Sequence, residues 1–239
     1  ENITNDHLRE PLTLIKYINQ QITDSKEYYV LIDEVQHLQR FEDALNTLLK
    51  NSQLDVYVTG SNARFLSKDV VTTFRGRGDE VRVHPLSFAE YLSVQQPLPF
   101  AEQHLNEYMR LGGLPQLVVM NSEQQKRQYL SQLFANTYLV DIKERYAIRN
   151  DDDLEELIDV IASSIGSLTN PTKIANSFAS VKQSQLSKDT IKRYLDYMQD
   201  AFMIEKAVRY DIKGRKYIDT PAKYYFEDLG LRNARINFR

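Results

Sequence analysis

The sequence contains no cysteine, which excludes disulfide bonds and thiolate metal sites. No apolar run reaches the roughly 18 residues of a transmembrane helix, and no signal-peptide pattern opens the chain. The four histidines are scattered, without the H-E-x-x-H spacing of a zinc site. We therefore expect a cytoplasmic protein that contacts no membrane and has no metal site built from cysteine or histidine.

Hydrophobic residues make up 42% of the 239 residues and charged residues 26%, a composition that can bury a core. Residues 171–239 contain 14 Lys and Arg against 8 Asp and Glu, a balance of +6, whereas the rest contains 16 against 25, a balance of −9. The basic end suggests an anionic partner. The chain opens on ENITNDHLRE without an initiator Met, so we expect a fragment of a longer protein.

Two apolar segments in the first third predict buried strands, YYVLID and DVYVTGS. Between them, FEDALNTLLKN has apolar residues at helical spacing. Strand, helix and strand form one βαβ unit, and such uninterrupted apolar strands predict a parallel sheet covered on both faces. DHLREPLTLIKYINQQI predicts a further helix with Pro11 near its start.

Polar residues follow both predicted strands: Asp33 and Glu34 follow the first, and Ser61 and Asn62 follow the second. The carboxyl ends of parallel strands meet at one edge of a sheet, where ligands bind. An Asp there can hold Mg²⁺, and a neighbouring Glu can polarise a water for attack on a γ-phosphate. The alternative is that acidic residues simply mark strand ends emerging into solvent. The second polar-ended strand favours the catalytic interpretation.

A series of blocks resembles one protein family in order and spacing. They include YYVLIDEVQHL, VYVTGSNARFLS, FRGRGDEVRVHPLSFAEYL and YMRLGGLPQLV, followed by longer blocks that begin YLVDIKERY and LSKDTIKRYL. The family is a group of prokaryotic AAA-type P-loop ATPases. In these, an ATPase core precedes a helical region and a winged helix, and a nuclease-like domain usually follows. The resemblance implies ATP and Mg²⁺ as cofactors.

The resemblance also assigns roles. Asp33 and Glu34 correspond to the Walker B pair, and either Ser61 or Asn62 to the sensor. Arg77 falls in a recurrent Gly-Arg element and would stabilise phosphate charge, in its own subunit or in a neighbour of a homo-oligomer. Alternatively, Arg77 lies in a solvated loop whose arginines pair with nearby acidic residues.

The main departure from the family is the absence of the phosphate loop G-x-x-x-x-G-K-[ST]. That loop supplies the backbone N–H cradle, the lysine and the Mg²⁺-binding hydroxyl. We expect it upstream of Glu1, so the chain by itself would be inactive. The alternative is a non-enzymatic winged-helix module, binding DNA or protein, with a degenerate ATPase core.

The predicted fold class is α/β followed by mostly α. We expect part of an AAA-type parallel sheet at 1–95, a helical lid or linker at 96–150, and a winged helix at 151–239. DDDLEE predicts a helix start, because carboxylates favour the positive end of the helix dipole. Asn170 with Pro171, and then Ser187, predict two further helix starts. Two β-rich stretches follow, IEKAVRYDI and KYIDTPAKYYFED.

Double-stranded DNA is a candidate partner of this basic end. The basic residues that could contact phosphates are Lys213, Arg215, Lys216 and Arg209 in the predicted wing, and Lys188 and Lys192 on the predicted recognition helix. Acidic residues offset those on the helix, so the wing is the better phosphate-binding surface. The alternative is that the winged helix is a packing module that holds the ATPase core to a further domain.

Overall fold

The computed structural model describes residues 3–60, 78–95, 101–148, 151–182, 186–209 and 221–238. The chain divides into two compact units, residues 1–81 and 82–239. The domain boundaries expected from the sequence stay a prediction.

The first unit contains the predicted βαβ arrangement. A 3-10 helix (Ile3–Arg9) and helix α1 (Pro11–Gln21) precede strand β1 (Tyr28–Ile32), a short 3-10 turn (Val35–His37), helix α2 (Phe41–Leu48) and strand β2 (Leu54–Val58). The two strands are parallel, with a register that runs from Tyr28 opposite Leu54 to Ile32 opposite Val58. Pro11 is the first residue of α1, as predicted, and Glu10 caps that helix through the N–H of Thr13.

One face of this small sheet is covered. Helix α2 turns an apolar stripe inward, and its buried side chains join those of α1 and the strands in one cluster. The fully or nearly buried members are Ile18, Val35, Leu38, Phe41, Ala44, Leu45, Leu48 and Leu54. Val30, Ile32, Val56 and Val58 pack against them from the sheet.

The other face of the sheet is exposed, although the sequence predicted cover on both faces. Tyr29, Leu31 and Tyr57 are 62%, 78% and 54% accessible. They alternate with the packed residues along each strand, because successive side chains point to opposite faces. Within the described residues, the prediction of two covered faces is therefore wrong.

The second unit is mainly helical. Its helices are α3 (Phe88–Val94), α4 (Ala101–Leu111), α5 (Pro115–Val118), α6 (Glu123–Leu133), α7 (Val140–Arg145), α8 (Asp151–Ser163), α9 (Pro171–Lys182), α10 (Lys188–Asp200) and α11 (Leu229–Arg235). A π-helical turn (Phe134–Leu139) joins α6 to α7. Strands β3 (Ile204–Ala207) and β4 (Lys223–Phe226) form an antiparallel pair.

The predicted helix starts of this unit are confirmed. Asn170 accepts a hydrogen bond from the N–H of Lys173 at 2.7 Å ahead of Pro171, and Ser187 accepts one from Thr190 at 3.1 Å. The DDDLEE segment opens α8. Along α10, Ile191, Tyr194, Leu195 and Met198 are buried, whereas Phe202 beyond the helix is half-buried.

Three helices and an antiparallel strand pair follow one another from α8 to β4, in the order expected for a winged helix. An isolated antiparallel bridge between Thr169 and Ala222 ties the loop before α9 to the start of β4. Tyr146, after α7, stacks on Tyr197 of α10 with ring centroids 3.6 Å apart. The assignment as a winged helix stays a prediction.

Helix α4 and helix α11 are joined through a buried carboxylate. Asp228 accepts hydrogen bonds from the N–H of Gly113 at 2.7 Å and from that of Leu231 at 3.0 Å. Gly112 has φ +80°, a left-handed backbone conformation that favours glycine at this turn. Burial raises the pKa of Asp228, although these backbone hydrogen bonds oppose the shift.

The segment that opens the second unit is tied to its end. Arg82 forms an ion pair with Glu227, and the ring Nδ1 of His84 lies 3.4 Å from the same carboxylate. The N–H of Leu86 donates to the carbonyl of Gly113 at 2.8 Å. Ser87 then starts α3 with a capping box.

Across the described part of the chain, no helix is long and apolar enough to cross a membrane.

Candidate functional site at the ends of the parallel strands

The two parallel strands end together and place the predicted carboxylates at one edge. The N–H of Thr59 donates to the carbonyl of Ile32 at 2.9 Å, and the N–H of Val35 donates to the carbonyl of Thr59 at 3.0 Å. These bonds continue the strand pairing past the last ladder position and hold Asp33 and Glu34 opposite Thr59. The structure therefore places the predicted pair at the carboxyl ends of the sheet.

Thr59 is the residue that organises this edge, and the sequence analysis did not identify it. Its hydroxyl donates a hydrogen bond to Oδ1 of Asp33 and accepts one from the N–H of Glu34 at 3.1 Å. The signal was present in the sequence, since Thr59 is the first polar residue after the apolar run of β2. A residue directly after β2 lies beside the residues that follow β1, because the two parallel strands end at the same edge of the sheet.

Glu34 has an unusual backbone. Its φ of 50° and ψ of 56° lie in the left-handed region, which costs a residue with a side chain roughly 1–2 kcal/mol. The half-buried side chain accepts a hydrogen bond from the amide of Gln36 through Oε2. A non-glycine residue with this geometry persists only where its surroundings hold it, and such residues cluster at functional sites.

Within the described ranges, no basic side chain pairs with either of the two carboxylates. Asp33 is exposed, and among the residues that the structure describes neither Asp33 nor Glu34 forms an ion pair. Gly60 follows Thr59, and a Cβ added there would lie 3.3 Å from Oε1 of Gln36, so the chain has little room beside this turn. The edge therefore combines a negative charge with an accessible approach to Asp33.

Asp33 could serve as one ligand of Mg²⁺, but the described residues around it do not form a complete magnesium site. Its carboxylate offers the hard oxygen that Mg²⁺ prefers, and the Thr59 bond uses Oδ1 only. In the described parts of the chain, no group of three His, Asp or Glu side chains could hold a metal. The phosphate loop, which provides a hydroxyl ligand and the phosphate cradle, is absent from the sequence. These residues thus fit one part of a Mg²⁺ and ATP site.

Three other predicted site residues, Ser61, Asn62 and Arg77, lie outside the described residues. The choice between Ser61 and Asn62 as sensor therefore stays open. Strand β2 ends at Val58, three positions before Ser61. Asp33 and Glu34 are the predicted catalytic residues that the described structure brings together.

The predicted DNA-contacting residues are only partly described. Lys213, Arg215 and Lys216 lie outside the described residues, whereas Lys188, Lys192 and Arg209 are exposed. On α10, Asp200 accepts a hydrogen bond from the hydroxyl of Tyr146 at 2.9 Å. Because the tyrosine hydroxyl is neutral, that bond leaves the negative charge of Asp200 in place near the helix lysines.

The strand pair adds two further exposed cations, Lys206 on β3 and Lys223 on β4. Lys206 lies opposite Tyr224 and Lys223 lies opposite Ala207 in the ladder, so the two lysines occupy opposite faces. Within the described ranges, no carboxylate forms an ion pair with Lys206, Arg209 or Lys223. Lys223 was not predicted, because an isolated lysine before YYF carries no pattern.

Residues 1–92 match the family model described as an AAA domain. This match confirms the AAA-type part of the resemblance. Residues 102–239 match the model described as a domain of unknown function, DUF8612. That match covers more than half of the chain, and the chain belongs to this family.

Two curated relatives match along nearly the whole chain. An uncharacterized protein of Haemophilus influenzae is 37% identical over 223 residues, which cover 92% of this chain and 55% of that protein. Uncharacterized protein MJ1544 of Methanocaldococcus jannaschii is 28% identical over 247 residues, covering 99% of this chain and 54% of the relative. The chain thus spans about half the length of these relatives.

A search of solved structures finds the Aeropyrum pernix ORC1 protein in complex with DNA. The match covers 94% of this chain and 66% of that one, with 12% sequence identity and a TM-score of 0.29. A likeness at this level carries no information about function.

Proposed function

We propose that this chain is part of an AAA-type P-loop ATPase and carries the carboxylates that bind magnesium and activate water. The observation that carries the proposal is the junction of Asp33, Glu34 and Thr59 at the carboxyl ends of two parallel strands. The AAA domain match over residues 1–92 supports it. Acidic residues that merely emerged into solvent would not need a shared hydroxyl and a left-handed backbone.

Each residue has a distinct role in this proposal. Asp33 would hold Mg²⁺, directly or through water, with its orientation fixed by Thr59. Glu34 would accept a proton from the attacking water, with its carboxylate positioned by Gln36. Bound ATP with Mg²⁺ supplies the phosphoryl group and the charge neutralisation for its transfer. Ser61 or Asn62 would contact that phosphate, and Arg77 would stabilise its charge.

Residues 1–239 alone should not hydrolyse ATP, because the sequence lacks the phosphate loop. Isothermal titration calorimetry of this chain with Mg-ATP measures its affinity for ATP directly. We expect weak or undetectable binding. A dissociation constant in the low micromolar range, about −8 kcal/mol, would show that the loop is dispensable and the site assignment wrong.

The longer protein tests the catalytic pair. Glu34→Gln should leave ATP binding nearly unchanged and lower the hydrolysis rate by roughly 10²-fold or more, because the water loses its base. Asp33→Ala should weaken Mg²⁺-dependent binding. Glu42→Gln, at a half-buried position on α2 of the same unit, is the matched control and should retain the wild-type rate. If Glu34→Gln hydrolysed ATP at the wild-type rate, Asp33 and Glu34 would be acidic surface residues without a catalytic role. That result would favour the non-enzymatic alternative.

A second candidate function is contact with double-stranded DNA through the predicted wing. The observation in its favour is the set of exposed cations on and beside the strand pair that have no ion-pair partner among the described residues, namely Lys206, Arg209 and Lys223. Phosphates attract such cations without regard to base sequence. Lys213, Arg215 and Lys216 belong to the same predicted wing. The alternative is that this module packs against another part of the longer protein.

Fluorescence anisotropy on a labelled duplex over a salt series tests the DNA contact. Each neutralised phosphate contributes about −0.9 to the slope of log K against log salt. Replacing Lys213, Arg215 and Lys216 by Ala should flatten the slope by about two to three units. Lys188 and Lys192 should matter less, because acidic residues on α10 offset them.

The opposite-facing lysines of the strand pair make an internal control for this experiment. If the wing contacts phosphate with one face, only one of Lys206→Ala and Lys223→Ala should flatten the slope, by about one unit. No detectable binding at about 50 mM salt, where phosphate contacts are strongest, would leave the module as a packing surface.

A further inference from the structure

The second unit contains a cavity where α6, α7, α8, α11 and the π-helical turn meet. Its volume is about 360 Å³. Small-molecule sites occupy roughly 300–1,000 Å³, so this cavity suits a small ligand. The π-helical turn forms part of its wall, and such turns are rare and often occur at functional sites. The cavity is therefore a candidate binding site.

One part of the cavity wall is apolar. Phe134 and Leu139 are both buried, and the guanidinium carbon of Arg235 lies 5.9 Å from the centre of the Phe134 ring. Ala135 and Ala234 also line the cavity, and their small side chains leave room for a ligand. An aliphatic group that entered the cavity would lose contact with water against this part of the wall.

The other part of the wall presents an ammonium group and a carboxylate side by side. Nζ of Lys143 on α7 lies 3.0 Å from Oε1 of Glu155 on α8, and Nη1 of Arg235 lies 3.2 Å from Oε2 of the same carboxylate. The hydrogen bond from Lys143 lowers the pKa of Glu155, so this carboxylate is ionised at neutral pH. Asp159 accepts hydrogen bonds from Nε and Nη2 of Arg235 at 2.5 and 2.9 Å and balances its charge.

The chemistry of the ligand follows from this wall. An anion would meet the carboxylate of Glu155, and a cation would meet the ammonium group of Lys143. An entirely apolar molecule would desolvate both groups without replacing their contacts to water. A molecule that carries one positive charge, one negative charge and an apolar group offers a partner to every part of the wall.

We propose that the cavity binds a free α-amino acid with an aliphatic side chain. The ligand carboxylate contacts the ammonium group of Lys143 and the hydroxyl of Ser131, which also lines the cavity. The ligand ammonium group contacts Glu155. The ligand side chain lies against Phe134 and Leu139.

Binding of this ligand does not require the Lys143–Glu155 pair to break. The two side chains are 22% and 35% exposed, so a ligand can reach both. Each oxygen of the Glu155 carboxylate accepts one hydrogen bond, from Lys143 or Arg235, and a carboxylate has about four acceptor positions. Because two cations already fix its orientation, little further ordering is needed when a ligand binds.

The proposed site lies wholly within the second unit and uses neither Asp33 nor Glu34. It therefore goes beyond the ATPase proposal, and its test needs no ATP. Failure of the Glu34→Gln experiment would leave the amino-acid site unaffected, and the reverse also holds.

Ligand-observed NMR on the full 239-residue chain tests the proposal with three matched probes. L-Leucine carries both charges, 4-methylpentanoate is the same molecule without its amino group, and 3-methylbutylamine is the same molecule without its carboxylate. Saturation-transfer titrations at pH 7 give a dissociation constant for each probe. We expect about 1 mM or lower for L-leucine. The other two probes should bind at least about tenfold more weakly, because each leaves one charged group of the wall without a partner.

The three probes also define the results that would overturn the proposal. Absence of saturable L-leucine binding up to about 10 mM would do so. Equal affinity for L-leucine and 4-methylpentanoate would show that the cavity recognises an anion. Equal affinity for L-leucine and 3-methylbutylamine would show that it recognises a cation. Either equality contradicts an amino-acid site.

Two variants locate the binding. Glu155→Gln removes the partner of the ligand ammonium group and should weaken L-leucine binding at least about tenfold. Asp152→Asn is the matched control, since it removes an exposed carboxylate from the same helix and should leave the affinity unchanged. Ala135→Leu occupies the cavity without altering the ion pairs and should abolish binding.

Ala135 is exposed, so a larger side chain there does not overpack the core, and this variant keeps the proposal testable if Glu155→Gln fails to fold. Circular dichroism verifies the helix content of each variant. Unchanged L-leucine affinity in either folded variant would place the ligand elsewhere and overturn the proposal.

Discussion

The hydroxyl of Thr59 connects the Asp33 side chain to the Glu34 backbone, at the point where two parallel strands end. One small side chain therefore fixes the position of both residues proposed to act on Mg²⁺ and water. A threonine hydroxyl can do this because it donates one hydrogen bond and accepts another.

Thr59→Val removes that hydroxyl while keeping the branched shape. We expect a loss of about 1 kcal/mol in the free energy of unfolding, measured with urea, because the N–H of Glu34 and the Asp33 carboxylate lose a partner. Thr47→Val is the control, since among the described residues the Thr47 hydroxyl bonds only the carbonyl of Asp43 in its own helix. Equal losses in the two variants would mean that the junction contributes nothing beyond an ordinary hydroxyl.

The left-handed backbone of Glu34 leads to a prediction about stability alone. Glu34→Gly should be more stable than Glu34→Ala by about 1 kcal/mol, because glycine adopts this conformation without steric cost. The order should reverse at Asn46, an interior position of α2, where alanine is favoured by up to about 1 kcal/mol. Chemical denaturation of the four variants checks both orders. A less stable glycine variant at residue 34 would show that the strain is absent in solution.

Gly113→Ala should destabilise the second unit by at least about 1–3 kcal/mol, because overpacking against backbone cannot be relieved by a rotamer change. A Cβ at this position would lie 2.1 Å from the carbonyl oxygen of Leu86. Gly78→Ala is the matched control, since nothing lies within 4 Å of its added Cβ. Thermal unfolding, monitored by circular dichroism, measures the stability of both variants. A tolerated Gly113→Ala would mean that the segment around Leu86 is not held against this turn.

Asp228 should make the free energy of unfolding depend on pH. Because its pKa is raised in the folded state, its contribution to stability is complete below about pH 4 and falls as pH rises through the raised value. Asp228→Asn cannot ionise and should lack this fall. It should still be less stable at pH 4 by about 1–3 kcal/mol, since an amide turns a donor toward a backbone N–H.

Urea denaturation of both proteins between pH 4 and pH 7 isolates this effect. Carboxylates with lowered pKa, such as Glu90 and Glu155, lose their contribution as pH falls, but they are common to both proteins and cancel in the difference. The stability advantage of the wild type should therefore shrink as pH rises. A constant or growing advantage would contradict a raised pKa.

Local features of the fold were predictable because the sequence signals act over a few residues. Pro11, Asn170 and Ser187 start helices in the structure because a fixed φ or a capping oxygen determines conformation without distant partners. The βαβ order followed from the length and apolar character of the segments. The positions of Asp33 and Glu34 followed from that order.

Features that depend on distant packing were not predictable. Thr59 acts through a residue 26 positions away, and only the strand register brings the two together. The pattern of β1 and β2 shows that both faces are apolar, but not which face other elements of the chain cover. Asp228 looks like an exposed acid in YYFEDLG, yet its partner at Gly113 makes it a buried one.

The joining of the two ends of the second unit also has a consequence for synthesis on the ribosome. Gly113 and Asp228 are separated by 115 residues, and Arg82 and Glu227 by 145. At about 5–20 residues per second, roughly 6–23 s pass between the emergence of Gly113 and that of its partner. During that interval the apolar side of α4 has no α11 to pack against. Slower translation or chaperone loss should therefore reduce the soluble yield of this unit more than that of residues 1–81.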